Sequence, residues 1–481
     1  MADGGDRSLR HMLVSGGASL LSPLINFAAI PVITRLYGPA DFGVWAVITS
    51  LSLIPGQVAT GRYELATVVA GDEQEAGQLT RTALLGPVVF ALAAAVLLLA
   101  AWPWMQGTGR AAALRPFLWA VPVLVLMVGW RMALDGWAIR RRAFTARAAS
   151  IVTLALVTNA TQVLAWYGGM RGPGGLVAGS VAGFTAATGL LAAFLVGRAD
   201  ADFRAGLRTL RVGSVLRRYR NFPFFSAPYT LLGNLRREGM KLVLGALTPA
   251  AVVGAVAFSW RLTNFPAMMF SNGIRPVLFE RASRQGVAAL APWLERIWSV
   301  LTMLTLPGLV VFLFHADRVF RIAIGSRWIE AAPYARLLAV PAVVLVHTNW
   351  LDRLYDVLQR QRAIFALEAV FAVLSLTALA GGLLLGGGPL AAVALLAGVL
   401  TVYYLVMAGR LLRLADLPAG RAASRLLRTV LLGALLAALY AAVLQAAGRP
   451  RLAAPLFLAP CYAVVAWRIA AAARRERAGG A

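Results

Sequence analysis

Long apolar stretches recur along the whole chain, separated by short segments that carry charge, glycine or proline. Each stretch approaches about 20 residues, the length that an α-helix needs to cross the hydrocarbon core of a bilayer. The pattern predicts fourteen membrane-spanning helices, of which the second and the tenth have charged ends. The predicted spans cover residues 12–34, 44–66, 82–106, 116–139, 148–168, 174–197, 224–247, 252–275, 296–315, 335–357, 363–386, 388–409, 428–447 and 452–473.

The composition agrees with a membrane protein. Of 481 residues, 60% are hydrophobic and 14% are charged, whereas a soluble domain is about 45–50% apolar and about 25% charged. No segment predicts a separate soluble domain. The single cysteine, Cys461, and three scattered histidines predict neither a disulfide framework nor a metal site. Arg7 and Arg10 precede the first stretch as in a signal peptide, but its length and lack of a cleavage site predict a retained span.

The formal charge is +26, and Lys241 is the only lysine among 46 basic residues. These residues cluster in alternate loops, which the positive-inside rule assigns to the cytoplasm. Both termini are then predicted to be cytoplasmic, and the clustering argues against nucleic-acid binding. The longest basic segment, residues 198–223, is predicted to lie along the inner membrane surface, where orientation and contact with anionic lipid would explain its charge.

A weak internal repeat links positions that are 211 residues apart, and it includes the pairs Gly43 and Gly254, and Pro55 and Pro266. Six spans separate the copies, which predicts a parallel repeat about an axis along the membrane normal. The predicted fold is therefore an all-α integral membrane protein with two pseudo-symmetric six-helix lobes around a central cationic cavity. The predicted parts are an N-terminal lobe at 1–197, a basic cytoplasmic linker at 198–223, a C-terminal lobe at 224–409, and two further helices with a basic tail at 410–481.

Polar residues form stripes within several predicted spans, and the two strongest follow helical spacing. The stripe of the seventh span comprises Thr230, Asn234, Arg237, Glu238 and Lys241. The stripe of the eighth span comprises Arg261, Asn264, Ser271, Asn272 and Arg275. Weaker sets occur in the first span (Ser15, Ser19, Ser22, Asn26), the second (Gln57, Thr60, Glu64) and the fourth (Arg131, Asp135).

Charges inside a membrane are costly and usually face a protein interior or a wet cavity. The seventh and eighth spans together carry five basic residues, counting Arg236, against the one carboxylate of Glu238. This excess predicts a cavity that binds a mobile anion. The alternatives are structural: Glu238 neutralises Arg237 or Lys241, and an Arg131–Asp135 pair locks helices together. The serines and Asn26 of the first span are also explained by close helix packing.

Several blocks of the sequence carry a family resemblance. "RLYGPADFGVWAVITSL", "TGRYELATVVAGDEQEA", "YRNFPFFSAPYTLLGNLRREG" and "IGSRWIEAAPYARLLA" resemble the polysaccharide flippase family, which moves lipid-linked O-antigen and exopolysaccharide repeat units. This family belongs to the multidrug/oligosaccharidyl-lipid/polysaccharide exporter superfamily. The resemblance covers roughly residues 10–410, and the R-Y-E-L-A and G-P-x-D-F-G blocks are its most specific parts.

The resemblance implies two six-helix lobes whose spans one, two, seven and eight line a central cavity. It implies alternating access in the bacterial cytoplasmic membrane, with an undecaprenyl-pyrophosphate-linked oligosaccharide as substrate. No catalytic constellation is found among the residues, so neither a catalytic residue nor a cofactor or metal is expected. Arginine suits the pyrophosphate because its planar fork donates two hydrogen bonds at once. The implied pyrophosphate ligands are Arg237, Lys241, Arg261 and Arg275, and the implied cavity-lining residues are Asn26, Asn234, Asn264 and Asn272.

Arg62 and Glu64 match the R-Y-E-L-A block at the predicted cytoplasmic end of the second span. They are interpreted as an inner gate, with an interfacial anchor as the alternative. Intramembrane carboxylates often relay ions, which makes Glu238, Asp135 and Glu368 candidates for coupling to a proton or sodium ion. Membrane lipid and other polysaccharide-assembly proteins are the remaining predicted partners.

Three other functions remain open from the residues. A drug exporter of the same superfamily would move cations, and the basic excess argues against it. A membrane-embedded glycan polymerase, ligase or glycosyltransferase would need paired carboxylates or histidines in a sizeable outer loop, and no such pair or nucleotide-binding loop is found. A passive structural subunit would leave the basic stripes unexplained.

Overall fold

The computed structural model of the protein describes residues 21–106, 112–209, 213–351, 354, 358, 361–414, 419–447 and 450–478. These residues form helices joined by turns, with no β-strand among them. Eight helices in the described part are long and apolar enough to cross a membrane, and three shorter apolar helices accompany them. The protein is therefore an all-helical, multi-pass membrane protein, as the sequence pattern predicts.

Seventeen α-helices are numbered here in chain order. They are α1 (Ile30–Leu36), α2 (Pro39–Gly56), α3 (Tyr63–Val69), α4 (Glu73–Gln106), α5 (Ala120–Arg140), α6 (Phe144–Tyr167), α7 (Pro173–Val196), α8 (Ala201–Arg208), α9 (Gly213–Arg218), α10 (Ala227–Leu247), α11 (Ala250–Gln285), α12 (Ala291–Val319), α13 (Ala332–Thr348), α14 (Gln361–Leu384), α15 (Gly388–Leu414), α16 (Ala419–Ala447) and α17 (Pro450–Ala478). Each of the fourteen predicted spans overlaps a helix, although residues 12–20 of the first and parts of the tenth lie outside the described residues.

The second predicted span is not one continuous helix, so that part of the prediction is wrong. Helix α2 ends at Gly56, residues 57–62 form a turn, and α3 begins at Tyr63. Gly61 and Arg62 both have a φ of 61°, a left-handed conformation that interrupts a right-handed helix. Glu64 therefore does not share a helical face with Gln57 and Thr60.

The chain forms two compact units. The first comprises residues Met1–Ser259, Ala323–Ala331 and Phe365–Leu396, and the second comprises Trp260–Ile322, Ala332–Ile364 and Ala397–Ala481. In the first unit, α4, α5 and α7 pack around two apolar cores rich in alanine, valine and leucine. In the second unit, α16 and α17 pack on α12 through a core that includes Val310, Tyr440 and Phe457.

The basic linker is partly docked on the first unit. The buried Phe203 of α8 stacks on Trp137 with ring centroids 4.2 Å apart. Further along, Glu75 accepts a hydrogen bond from Tyr219 and pairs with Arg218 at 3.1 Å. Burial, together with the hydrogen bond to Glu75, raises the pKa of the Tyr219 phenol. The side chains that dock on the first unit are not available to lipid. The predicted contact with the membrane surface is therefore limited to the exposed side chains of this segment.

The G-P-x-D-F-G block forms the start of α2. Pro39 occupies the first helical turn, and Asp41 accepts a hydrogen bond of 2.9 Å from the backbone of Gly38, which caps the helix. Phe42 packs edge-on against Trp328, whose indole donates to the carbonyl of Thr34 at 3.0 Å. The G-S-R-W block is thus fixed to the G-P-x-D-F-G block by a fully buried tryptophan.

The starts of α2 and α11 cross each other in a reciprocal contact within the first unit. A Cβ atom added to Gly43 would lie 1.8 Å from the carbonyl oxygen of Ala250, and one added to Gly254 would lie 1.8 Å from that of Pro39. Pro39 and Ala250, like Gly43 and Gly254, are 211 residues apart. The contact therefore follows the internal repeat, because each copy supplies both a glycine and the backbone that approaches it.

Candidate functional site

The candidate site is built on α10, whose middle carries consecutive charged residues. Arg236 points away from the predicted stripe and pairs with Glu368 of α14, with 2.9 Å between Nε and Oε2. Both side chains are at least 90% buried, with exposed fractions of 8% and 10%. The sequence prediction did not pair these residues, and the pairing lowers the basic excess that was expected in the seventh and eighth spans.

Lys241 and Glu238 form the second ion pair of α10, at 2.5 Å between Nζ and Oε2. Ser50 of α2 donates to the same carboxylate oxygen at 2.7 Å. Of the two neutralising roles that the sequence left open for Glu238, this geometry favours the one with Lys241. The amine of Lys241, predicted as a pyrophosphate ligand, thus already has a partner.

Arg237 differs from both neighbouring cations because its side chain is exposed. It donates from Nη2 to Oδ1 of Asn234 at 2.6 Å. Asn234 is fully buried, and its Nδ2 has no hydrogen-bond partner within the described part of the chain. Because Asn234 is buried, its oxygen orients Arg237, and the exposed guanidinium is the group that can donate to an acceptor-rich ligand.

The second unit holds the other stripe, on α11. Arg261 lies about 16 Å along this helix from its start at Ala250. It is half-buried and has no hydrogen-bond or ion-pair partner among the residues that the structure describes. One turn further, the buried Asn264 donates to the carbonyl of Trp260 at 2.8 Å, and its Oδ1 is unsatisfied within the same described residues.

Arg275, the fourth predicted pyrophosphate ligand, is directed to a backbone group in the second unit. Its Nη2 donates to the carbonyl of Asn349 at 2.6 Å, and the Asn349 amide donates to Ser271 at 2.9 Å. Asn272 is half-buried on the same helix. This geometry gives Arg275 a structural role in tying α11 to the end of α13.

The predicted first-span stripe is described only in part, because Ser15 and Ser19 lie outside the described residues. Asn26 donates to the carbonyl of Ser22 at 3.0 Å and accepts a hydrogen bond of 2.9 Å from Asn159 of α6. The amide of Asn26 therefore serves helix packing here, which is the alternative that the sequence analysis gave for this stripe.

The predicted gate residues contact each other. Arg62 pairs with Glu64 at 3.0 Å, and Glu64 also accepts a hydrogen bond of 2.6 Å from Thr60. Arg62 Nε donates to Ser226 at 3.4 Å, in the π-helical turn Phe222–Ser226 that leads into α10. The turn in the second span is thereby connected to the start of the seventh.

Asp135 has a partner that the sequence did not suggest. It accepts a hydrogen bond of 2.7 Å from Arg147 of α6, while Arg131 Nε is buried and unpartnered among the described residues.

The histidine of α13, His347, has a structural role in the helix core, since it is buried and hydrogen-bonds Thr302 at 3.0 Å. Ser50 and Arg147 are further partners that the sequence analysis missed, and they lie 188 and 12 positions from Glu238 and Asp135.

The family of the chain follows from a sequence comparison. Residues 32–333 match the model of a family described as polysaccharide biosynthesis protein, and this match spans more than half of the chain. The chain belongs to this family. No curated protein is detectably similar to it in sequence.

Solved structures identify the fold. The lipid II flippase MurJ in an inward closed conformation superposes with a TM-score of 0.64 at 10% identity, covering 91% of this chain and 100% of that one. An inward-facing multidrug resistance MATE family transporter gives 0.58 at 15% identity, covering 85% and 95%. A MOP superfamily transporter from Pyrococcus furiosus gives 0.55 at 13% identity, covering 85% and 94%. The polysaccharide biosynthesis family member described here thus has the fold of MOP superfamily transporters.

Proposed function

We propose that this protein is a flippase that moves undecaprenyl-pyrophosphate-linked oligosaccharide units across the bacterial cytoplasmic membrane. The family match supports a role in polysaccharide biosynthesis, and the fold supports transport by alternating access. The lipid II flippase shares this fold, so a lipid-linked sugar is a substrate class that such a scaffold accommodates. Protein side chains then bind and orient the substrate, and no covalent step is required.

The observation that carries the proposal is the placement of two arginines at mid-helix. Arg237 is exposed at the centre of α10, which has 21 residues, and Arg261 lacks a protein partner within the described residues. A charged side chain at this depth is too costly to face lipid. A wet cavity and a phosphate-bearing ligand would satisfy a guanidinium group at this depth.

The ion pairs refine the predicted ligand set. Lys241 is neutralised by Glu238, and Arg275 is held by a backbone carbonyl, so we assign pyrophosphate binding first to Arg237 and Arg261. A cationic drug would be repelled by the same two groups. The solved Pyrococcus furiosus transporter is described by a reverse polarity of its binding pocket, which is consistent with pockets of different charge on this fold.

The test measures export together with protein abundance. Arg237→Ala and Arg261→Ala should each weaken substrate binding about tenfold or more, because a charge-assisted contact contributes about 1.5–3 kcal/mol. Surface polysaccharide should fall while membrane abundance stays normal. Arg237→Lys should recover only part of the export, since a point charge lacks the planar fork.

The matched control is Arg208→Ala, which removes an exposed arginine from the linker helix α8 and should leave export unchanged. The purified chain in liposomes should also move an undecaprenyl-pyrophosphate-linked glycan and not a cationic dye. Dye transport without glycan transport would refute the proposed function. Normal export by both alanine variants would refute the assignment of the anion site alone.

A further inference from the structure

A cavity of about 530 Å³ opens between α12 and α16 in the second unit. This volume lies within the range of small-molecule sites, about 300–1,000 Å³. Its lining includes Arg296, Trp298, Thr302, Met303, Arg428 and Leu432. None of these residues belongs to the stripes described above.

The lining changes from charged to apolar along both helices. Met303 lies about 10 Å beyond Arg296 along α12, and Leu432 lies about 6 Å beyond Arg428 along α16. Both helices are predicted to start at the cytoplasmic face, because the segments before them are basic. The charged end of the cavity would then lie at the level of the lipid headgroups, and the apolar end would lie in the hydrocarbon region.

We propose that this cavity binds one anionic phospholipid of the inner leaflet, with its phosphate held by Arg296 and Arg428. The proposal does not depend on the transported substrate. Both arginines are exposed, and basic pockets between transmembrane helices on the cytoplasmic side are suited to anionic headgroups. Each guanidinium can donate two parallel hydrogen bonds to phosphate oxygens.

The remaining lining selects among ligands that carry phosphate. Glu295 also lines the cavity, so two arginines against one carboxylate leave one net positive charge, which favours an anionic over a zwitterionic lipid. Hydroxyl groups of Ser299 and Thr429 can bind the polar headgroup. The apolar end around Met303 and Leu432 favours a lipid over free phosphate, because it can cover the first part of an acyl chain.

The bound lipid would connect the two C-terminal helices to the rest of the second unit. Helices α16 and α17 both pack on α12, and residues of α12 and α16 line the cavity from both sides. Filling it with a headgroup would stabilise the α12–α16 contact. Because a ligand that binds only the folded state stabilises it by mass action, anionic lipid should raise the melting temperature of the purified chain.

The experiment uses the delipidated full chain in detergent, with native mass spectrometry to measure the binding of added phosphatidylglycerol. One site should bind phosphatidylglycerol more tightly than phosphatidylcholine. The double variant Arg296→Gln/Arg428→Gln should weaken this site by about tenfold or more. The matched control Arg321→Gln/Arg327→Gln removes two exposed arginines of the predicted outer loop and should keep it.

Competitors separate the sources of phosphate. Inorganic phosphate should not displace the bound lipid, and undecaprenyl pyrophosphate should do so no better than phosphatidylglycerol. A photoactivatable phosphatidylglycerol should label peptides containing residues 292–303 or 428–432 of the unmodified chain, which keeps the test decisive if the double variant misfolds. Equal binding of phosphatidylcholine, equal loss in the control, displacement by phosphate, preference for undecaprenyl pyrophosphate or labelling elsewhere would each overturn the proposal.

Discussion

Three cations lie within six residues of α10, and their surroundings give them different roles. Arg236 and Lys241 each pair with a carboxylate, whereas Arg237 is exposed and donates to a neutral amide. Removing one member of a buried ion pair leaves an uncompensated charge, which costs about 3–5 kcal/mol. Substitution of Arg236 should therefore lower the stability of the protein, whereas substitution of Arg237 should lower transport without loss of stability.

We predict that Arg236→Met lowers membrane abundance, because it leaves Glu368 buried and charged. The double variant Arg236→Met/Glu368→Gln should restore abundance, since neither charge remains. Arg237→Met should leave abundance normal and reduce export. Immunoblotting of membranes and quantification of surface polysaccharide measure the two effects.

The double variant also separates a structural role of Glu368 from the predicted coupling role. If Glu368 relays an ion, Arg236→Met/Glu368→Gln will recover abundance without recovering export. If the pair is only structural, both will recover. Low abundance in the double variant would show that the ion pair is not what stabilises α14 against α10.

At the scale of elements, the α2–α11 contact depends on two glycines. A methyl group at Gly43 or Gly254 would lie 1.8 Å from a backbone oxygen, so the helices must separate to admit it. Neither φ angle is in the left-handed range, so the requirement comes from helix proximity rather than from backbone conformation. This α2–α11 contact at Gly43 and Gly254, the seam, can hold the two helix ends together in one conformation of the protein and release them in another.

We predict that Gly43→Ala and Gly254→Ala each weaken this seam and favour states in which it is open. The expected result is faster labelling by a small thiol reagent of a cysteine at Ala255, which is 3% exposed beside Gly254, in a background with Cys461 replaced. Gly398→Ala is the control, since a Cβ there meets no atom within 4 Å. Unchanged labelling with normal abundance would show that the seam does not open during the transport cycle.

At the scale of the whole molecule, the charge pattern predicts the orientation in the membrane. The linker helix α8 is predicted to be cytoplasmic, and the turn between α14 and α15 is predicted to lie outside. Ala205 is exposed in α8, and Leu385, in that turn, is 89% exposed. Single cysteines at these positions can therefore report the two faces with little disturbance of packing.

In intact cells, an impermeant thiol reagent should label Leu385→Cys and should label Ala205→Cys only after the membrane is permeabilised. The Cys461 replacement alone provides the blank. Labelling of Ala205→Cys alone would reverse the orientation. Labelling of both in intact cells would contradict the predicted number of spans between them.

The sequence by itself determined the class of fold, because the hydrophobic length of a membrane helix and the positive-inside rule act through local composition. It also located the polar stripes, since helical periodicity is a local property, and the repeat at Gly43 and Gly254. It could not determine the partners of the charged residues. Glu368 is 132 positions from Arg236, and Ser50 is 188 positions from Glu238, so only tertiary packing brings these groups together.

The break in the second span was also decided by tertiary structure. Only Val58 and Ala59 are apolar within residues 57–62, but nothing local specifies a turn at Arg62, whose left-handed backbone is uncommon for a residue with a side chain. The ion pair with Glu64 and the hydrogen bond to Ser226 hold Arg62 in place, and one of these partners is 164 residues away. Local sequence sets what each segment can form, whereas contacts between distant segments select which charges are neutralised and which remain available to a ligand.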